Sequence, residues 1–145
     1  MNTSLNQRFH FGVYGILVSD NKMLFIKKSR GAYKGKYDLP GGGVEFNEKI
    51  EDALRREFME ETGIVLKDIE FIGSSEYFCD YLNDLGEVRK LHHVGLYYKV
   101  FGDCRKIKEE PDGQDSLGAE FIDIDKIKDV NISPISLPII KKIYE

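Results

Sequence analysis

The chain has 145 residues, of which 41% are hydrophobic and 32% are charged, and its formal net charge at pH 7 is −4. This length suits a single domain over residues 1–145, and the residue balance is that of a globular protein. The acidic surplus argues against a protein that binds long nucleic acids, because such proteins carry a basic surface. No apolar run is long enough for a transmembrane helix, and residues 1–10 lack the apolar core of a secretion signal, so we expect a cytoplasmic protein.

The first half of the chain is predicted to form two strands and a long helix. Residues 11–18 and 23–26 are apolar and rich in β-branched or aromatic side chains, as in buried strands, and the polar turn between them indicates a hairpin. Residues 39–43, with the sequence LPGGG, are expected to have irregular backbone. Asn47 is a favourable helix N-cap, so the pattern predicts a helix over residues 48–62, and the glycine that follows ends it.

The second half is predicted to be mainly strand until its last thirty residues. Residues 69–81 form one or two strands, residues 91–101 a strong strand rich in Val, Tyr and Phe, and residues 119–124 a strand with alternating burial. A short helix is predicted over residues 125–129 and a terminal helix over residues 136–144, with a proline in its first turn. Strands before and after one long helix indicate a mixed α/β sheet with helices on its faces.

A row of carboxylates lies on the long predicted helix. At about 100° per residue, Ile50, Ala53 and Leu54 share one apolar arc, which three acidic residues continue: Glu57, Glu60 and Glu61. Carboxylates in such a place repel one another and lose hydration, and the helix dipole disfavours negative charge in the last turn. A divalent cation that prefers oxygen ligands would compensate. The alternative is a solvated acidic face paired with basic side chains, which is the usual meaning of such a spacing.

The sequence around this helix decides between the two interpretations. Residues 42–64 read GGVEFNEKIEDALRREFMEETGI and occupy every specified position of the pattern G-x5-E-x7-R-E-U-x-E-E-x-G-U, in which U is a bulky apolar residue. This pattern is the Nudix box, and the chain therefore resembles the MutT-like Nudix hydrolases. The resemblance implies an α/β/α sandwich with a mixed β-sheet, in which the box forms a loop–helix–loop at the active site.

The resemblance also implies a catalytic centre. The expected Mg²⁺ ligands, which would also accept Mn²⁺, are the backbone carbonyl of Gly41 and three side chains: Glu57, Glu60 and Glu61. Glu48 and Arg56 match the positions whose side chains pair and hold the loop against the helix. The implied reaction is attack of water on the phosphorus of a diphosphate linkage, with Glu57 or Glu61 accepting the proton of the water.

Residues outside the box are candidates for binding the substrate. A basic cluster within residues 22–36 contains Lys27 and Arg30, which could face phosphates; a solvated basic loop is the alternative. An acidic loop before the last strand contains Asp112 and Asp115, either of which could take the place of a box glutamate as the base. His92 and His93 are neighbours on a predicted strand and point to opposite faces, so we expect them not to share a metal ion.

The substrate is the least determined feature. The resemblance implies a small nucleotide-type substrate in which a nucleoside diphosphate is linked to another moiety, and many relatives are homodimers. A proline about fifteen residues after the box would indicate ADP-ribose, but Cys79 stands there, and Tyr81 lies near a position associated with dinucleoside polyphosphates. Two alternative functions are a catalytically weak module that binds a nucleotide or ADP-ribose, and a pyrophosphohydrolase that acts on RNA 5′ ends.

Overall fold

The computed structural model describes residues 5–105, 107 and 116–144. In this part of the chain five strands precede the long helix, three strands follow it, and two short helices come last. The elements in chain order are β1 (Gln7–Ile16), β2 (Val18–Ser19), β3 (Lys22–Lys28), β4 (Tyr37–Asp38), β5 (Gly41–Gly43), α1 (Ile50–Thr62), β6 (Leu66–Leu82), β7 (Val88–Gly102), β8 (Ser116–Asp123), the 3₁₀ helix η1 (Ile124–Asp129) and α2 (Leu137–Tyr144).

The strands form two sheets. The first has the order β5-β1-β7-β6, in which β1 and β7 run parallel and the other two pairs run antiparallel. In the second sheet β8 pairs along the length of β3, while β2 and β4 pair with the two ends of β3. The prediction of a mixed α/β arrangement is confirmed.

The core has two parts, one on each face of the strands. Successive residues of β3 contribute to opposite parts: Leu24 and Ile26 pack with α1, whereas Met23 and Phe25 pack with α2 and η1. All four side chains are buried, because helices cover both faces of the strand. This arrangement is the predicted α/β/α sandwich, with the long helix on one side and the terminal helix on the other.

Two local predictions are wrong. Gly41–Gly43 is not irregular but forms β5, whose backbone pairs antiparallel with β1. The helix does not begin at residue 48 with Asn47 as its N-cap; it begins at Ile50, and its N-cap is Lys49, whose side chain makes no capping hydrogen bond. Asn47 has a φ of 64° and belongs to the preceding turn, since asparagine tolerates this left-handed conformation. Among the described helices, none is both long and apolar enough to cross a membrane.

Candidate functional site

The inner face of α1 is apolar except at its C-terminal end. Its buried residues are Ala53, Leu54, Phe58, Glu61 and Thr62. The prediction that all three glutamates continue the core stripe is therefore only partly right, because Phe58 continues the core and Glu61 joins it, with 3% of its surface exposed. The side chains of Glu57 and Glu60 lie at the rim of this face, with exposed fractions of 18% and 54%.

The glycines of β5 let the strand backbone approach these glutamates. The Gly41 N–H donates a hydrogen bond of 2.8 Å to Oε1 of Glu61, which joins the strand to the end of the helix. Gly41 has a φ of 146°, and a Cβ placed on it would lie 2.1 Å from the carbonyl oxygen of Val13. A Cβ on Gly42 would lie 2.5 Å from Oε2 of Glu57. Gly41 requires glycine because a Cβ there would meet the backbone of β1, whereas a side chain on Gly42 would displace the carboxylate of Glu57.

Arg56 connects the loop to the helix. Its guanidinium donates two hydrogen bonds to the carboxylate of Glu48, of 2.8 and 2.9 Å, and one of 3.0 Å to the carbonyl oxygen of Gly43. Nη1 of Arg56 also lies 2.8 Å from Oε1 of Glu57 and 3.5 Å from Oε1 of Glu60. The hydrogen bonds from Arg56 lower the pKa of Glu48 to about 2, and those to Glu48 raise the pKa of Arg56. The pair is therefore charged at neutral pH and fixes the loop against the helix.

The carboxylates at this end of α1 suit a divalent cation by their chemistry. They are hard oxygen donors, and the glycine backbone leaves room beside them. A cavity of about 380 Å³ opens here, and Gly41, Gly42, Glu57 and Glu60 are part of its wall. Within the described residues no three His, Cys, Asp or Glu side chains already form a metal cluster. Arg56 donates hydrogen bonds to Glu57 and Glu60, and the Gly41 N–H donates to Glu61.

A second cavity, of about 430 Å³, adjoins the first. The two share three wall residues, His10, Tyr14 and Lys28. The remaining wall of the second cavity is polar and aromatic and includes Arg30, Tyr33, Asp38, Tyr81, Asn83 and His93. The two cavities therefore form one cleft with a carboxylate end and an aromatic end.

A chain of hydrogen bonds backs the aromatic end of the cleft. His93 is buried between two tyrosine hydroxyls: that of Tyr14 lies 2.8 Å from Nε2, and that of Tyr33 lies 2.8 Å from Nδ1. Burial, and then the positive charges of His10 and Lys28, lower the pKa of His93 to about 3. The ring is therefore neutral at pH 7, so one of its nitrogens donates to a tyrosine and the other accepts from one.

The neighbouring histidine lies on the other face of β7, as predicted. Nε2 of His92 lies 3.0 Å from Oε2 of Glu76, and the His92 ring stacks on Phe78.

A second buried polar group at the aromatic end is Asp38, which accepts hydrogen bonds from the Ser136 hydroxyl and the Leu39 N–H. Burial raises the pKa of Asp38, although its hydrogen bond with Ser136 opposes the rise.

The predicted substrate-binding residues fall in three different places. Arg30 lines the aromatic end of the cleft. Lys27 is exposed outside both cavities, and its Nζ lies 5.8 Å from the centroid of the Tyr37 ring; its neighbour Lys28 lines the cleft instead, because successive strand residues point to opposite faces. The two acidic candidates, Asp112 and Asp115, lie outside the described residues.

Comparison with known proteins shows to which family this chain belongs. The family model of the NUDIX domain matches residues 7–143. The chain belongs to the Nudix family. A crystal structure of a MutT NUDIX hydrolase from Burkholderia pseudomallei superposes with a TM-score of 0.65 at 25% sequence identity, covering 93% of this chain and 97% of that one.

Two curated relatives name different substrates. The ADP-ribose pyrophosphatase of Methanocaldococcus jannaschii is 46% identical over 115 residues, which are 79% of this chain and 62% of that protein. The oxidized purine nucleoside triphosphate hydrolase of Danio rerio is 30% identical over 112 residues, which are 77% of this chain and 65% of that protein. The Nudix chain described here thus spans less than two thirds of either relative, and hydrolysis is common to both names.

Proposed function

We propose that this Nudix protein hydrolyses the diphosphate linkage of a small nucleotide-type substrate in a reaction that requires Mg²⁺. The observation that carries the proposal is that Gly41, Glu57 and Glu60 line one end of a cleft, while the Gly41 N–H donates a hydrogen bond of 2.8 Å to the buried Glu61 carboxylate behind them. Carboxylates beside a glycine backbone would suit a cation, and a cation in a cleft with basic side chains would suit a phosphate.

The metal ligands would be the carbonyl oxygen of Gly41 and the carboxylates of Glu57, Glu60 and Glu61. A bound Mg²⁺, or Mn²⁺ in its place, would neutralise the diphosphate and lower the pKa of a coordinated water. Because Arg56 now holds Glu57 and Glu60, metal binding would compete with Arg56 for their oxygens.

The chain's own residues would do the remaining work. Glu57 lines the cavity and is therefore better placed than the buried Glu61 to take the proton from the attacking water. Glu48 would hold Arg56, and Arg56 would orient Glu57 through the hydrogen bond at 2.8 Å. Asp112 and Asp115 remain proposed alternatives for the base.

We infer that the substrate is a nucleoside diphosphate linked to a sugar, with ADP-ribose as its simplest representative. The support is the higher identity to the archaeal ADP-ribose pyrophosphatase, 46%, than to the nucleoside triphosphate hydrolase, 30%. Cys79 stands where a proline would favour ADP-ribose, so the substrate needs a direct test. The second cavity, at the aromatic end, would accommodate the nucleoside half of such a molecule.

A screen of candidate substrates tests this proposal. Phosphate-containing products would be measured for ADP-ribose, nucleotide sugars, dinucleoside polyphosphates, nucleoside triphosphates, CoA and a 5′-triphosphorylated RNA, each with Mg²⁺. We expect ADP-ribose or a nucleotide sugar to give the highest kcat/KM. Binding of ADP-ribose without turnover would favour the binding module, and preferential release of pyrophosphate from the RNA would favour the 5′-end hydrolase.

The protein's setting is also a proposal. We infer a cytoplasmic protein that acts on small molecules rather than on long nucleic acids, in agreement with its net charge of −4 and the physics of polyanion binding. A homodimer is proposed from the resemblance to the family, and sedimentation of the purified chain would test it.

A further inference from the structure

Lys28 lies where the two ends of the cleft meet. Among the lysines of the described residues, only Lys28 is part of the wall of both cavities. Its backbone is held from both sides, because its N–H donates to the carbonyl oxygen of Lys36 and its carbonyl oxygen accepts from the N–H of Gly35. The position of Lys28 is therefore fixed by the strand and by the loop that follows it.

An irregularity in the second sheet lies beside Lys28. Ile26 pairs with Ala119, but Lys28 pairs with Ser116, so β8 contains one more residue than β3 over this stretch. The extra residue is accommodated at Gly118, whose φ is 121°. Bulges of this kind bend a strand and redirect its side chains, and they are common beside active sites.

The charges near Lys28 differ between the carboxylate end and the aromatic end of the cleft. On one side the cavity wall contains Glu45, Glu57 and Glu60, and its basic residues include Arg56 and Lys28. On the other side the positive charge of Lys28 lowers the pKa values of the buried Asp38 and His93, in each case as a smaller effect than burial. Lys28 thus supplies a positive charge at the boundary between a strongly acidic region and a polar one.

We propose that Lys28 binds a phosphate of the substrate at the junction of the two cavities and so positions the diphosphate against the carboxylate end. The ligand is a nucleoside diphosphate linked to a sugar, and this inference rests on the proposed function. A lysine ammonium is a compact charge that binds phosphate oxygens without fixed geometry. Lys28 acts through binding and orientation and is a positioning residue.

The neighbouring lysine provides a matched control. Lys28→Met and Lys27→Met remove the same charge from adjacent positions of β3, but only Lys28 faces the cleft. We expect Lys28→Met to raise the KM for ADP-ribose by about 10- to 100-fold, the range for one lost hydrogen bond to a charged group, with a smaller change in kcat. Lys28→Arg should recover most of the affinity, and Lys27→Met should behave like the wild type.

A binding measurement separates this inference from the proposed reaction. Calorimetry with α,β-methylene ADP and Mg²⁺ needs no turnover, so it tests Lys28 even if no substrate in the screen is hydrolysed. We expect the wild type and Lys27→Met to bind this analogue alike and Lys28→Met to bind it at least about tenfold more weakly. Equal binding by all three proteins, or no binding by the wild type, would overturn the inference.

The competing explanation is that Lys28 only compensates the buried charge of Asp38. In that case Lys28→Met would lower the Tm, and adding Asp38→Asn would restore both the Tm and the affinity for the analogue. If Lys28 binds phosphate, the double variant regains stability at most, and its affinity stays low. Recovery of affinity in the double variant would therefore contradict the proposal.

Discussion

The two ends of the cleft are built in different ways. The carboxylate end comes from one contiguous segment, because β5, the following turn and α1 all lie within residues 41–62. The aromatic end is assembled from side chains on β1, β4, β7 and the loop after β3, so its residues are distant in sequence: Tyr14, Tyr33, Asp38 and His93. The wall of the first end is dominated by carboxylates and suits a reaction, whereas that of the second combines tyrosines and a neutral histidine with a few charged side chains and suits recognition.

The largest expected effect is a loss of kcat on changing Glu57, which would separate the chemistry at the carboxylate end from binding at the aromatic end. Glu57→Gln should lower kcat by about 10²- to 10⁴-fold, the usual contribution of a general base, because the amide cannot accept the proton. The affinity for α,β-methylene ADP in the aromatic end should fall much less. Kinetics with ADP-ribose and circular dichroism of the variant would check both points, and near-normal kcat would remove Glu57 from the proposed role.

The next effect concerns the backbone of the carboxylate end. Gly41→Ala should destabilise the protein by about 2–4 kcal/mol, since its Cβ would meet the carbonyl oxygen of Val13 at 2.1 Å and its φ is 146°. Gly43→Ala is the matched control, because the nearest atom to its Cβ is Cε1 of His10 at 3.2 Å. Chemical unfolding of both variants measures the difference, and equal stabilities would show that β5 adapts.

A smaller effect is expected from pH at the aromatic end. His93 binds a proton near pH 6.5 in the unfolded chain but only near pH 3 in the folded one. The unfolded state therefore holds more protons between these values, and stability should fall as the pH decreases through this window. In His93→Gln, the loss of unfolding free energy between pH 7 and pH 5.5 should be about 1 kcal/mol smaller than in the wild type. An unchanged loss would mean that His93 does not titrate as proposed.

The smallest effect is expected at the rim of the aromatic end. Arg30 lines this cavity but is exposed, so solvent screens its charge. Arg30→Gln should raise the KM for ADP-ribose by only about two- to fivefold, with kcat unchanged. Steady-state kinetics at low and high salt would show this dependence, and a loss as large as that of Lys28→Met would move the main phosphate contact to Arg30.

The sequence predicts the carboxylate end better than the aromatic end for a physical reason. Within one helix the spacing of residues determines which side chains are neighbours, so Glu57, Glu60 and Glu61 are found from the chain alone. The partial error concerns Phe58, which continues the core that the glutamates were expected to replace. The capping role predicted for Asn47 is wrong because the loop contains an additional turn before the helix.

The aromatic end depends on the pairing of strands, which a single sequence does not give. His93 lies beside His10 only because β1 and β7 pair in parallel. Lys27 and Lys28 cannot be distinguished by alternation, since all four preceding residues of β3 from Met23 to Ile26 are buried. Tyr14 is one of several aromatic residues in its region, and no local pattern separates it from an ordinary core residue.

The central claim is that water attacks a phosphorus atom in a reaction that needs both Mg²⁺ and the carboxylates of α1. Hydrolysis of ADP-ribose in ¹⁸O-labelled water, followed by mass spectrometry of the products, tests it most directly. We expect AMP and ribose 5-phosphate, with the label in the phosphate group of one of them, no reaction with EDTA, and a reaction slowed at least about a hundredfold with Glu57→Gln. Turnover that persists with EDTA and with Glu57→Gln, or products without label on phosphorus, would contradict the account.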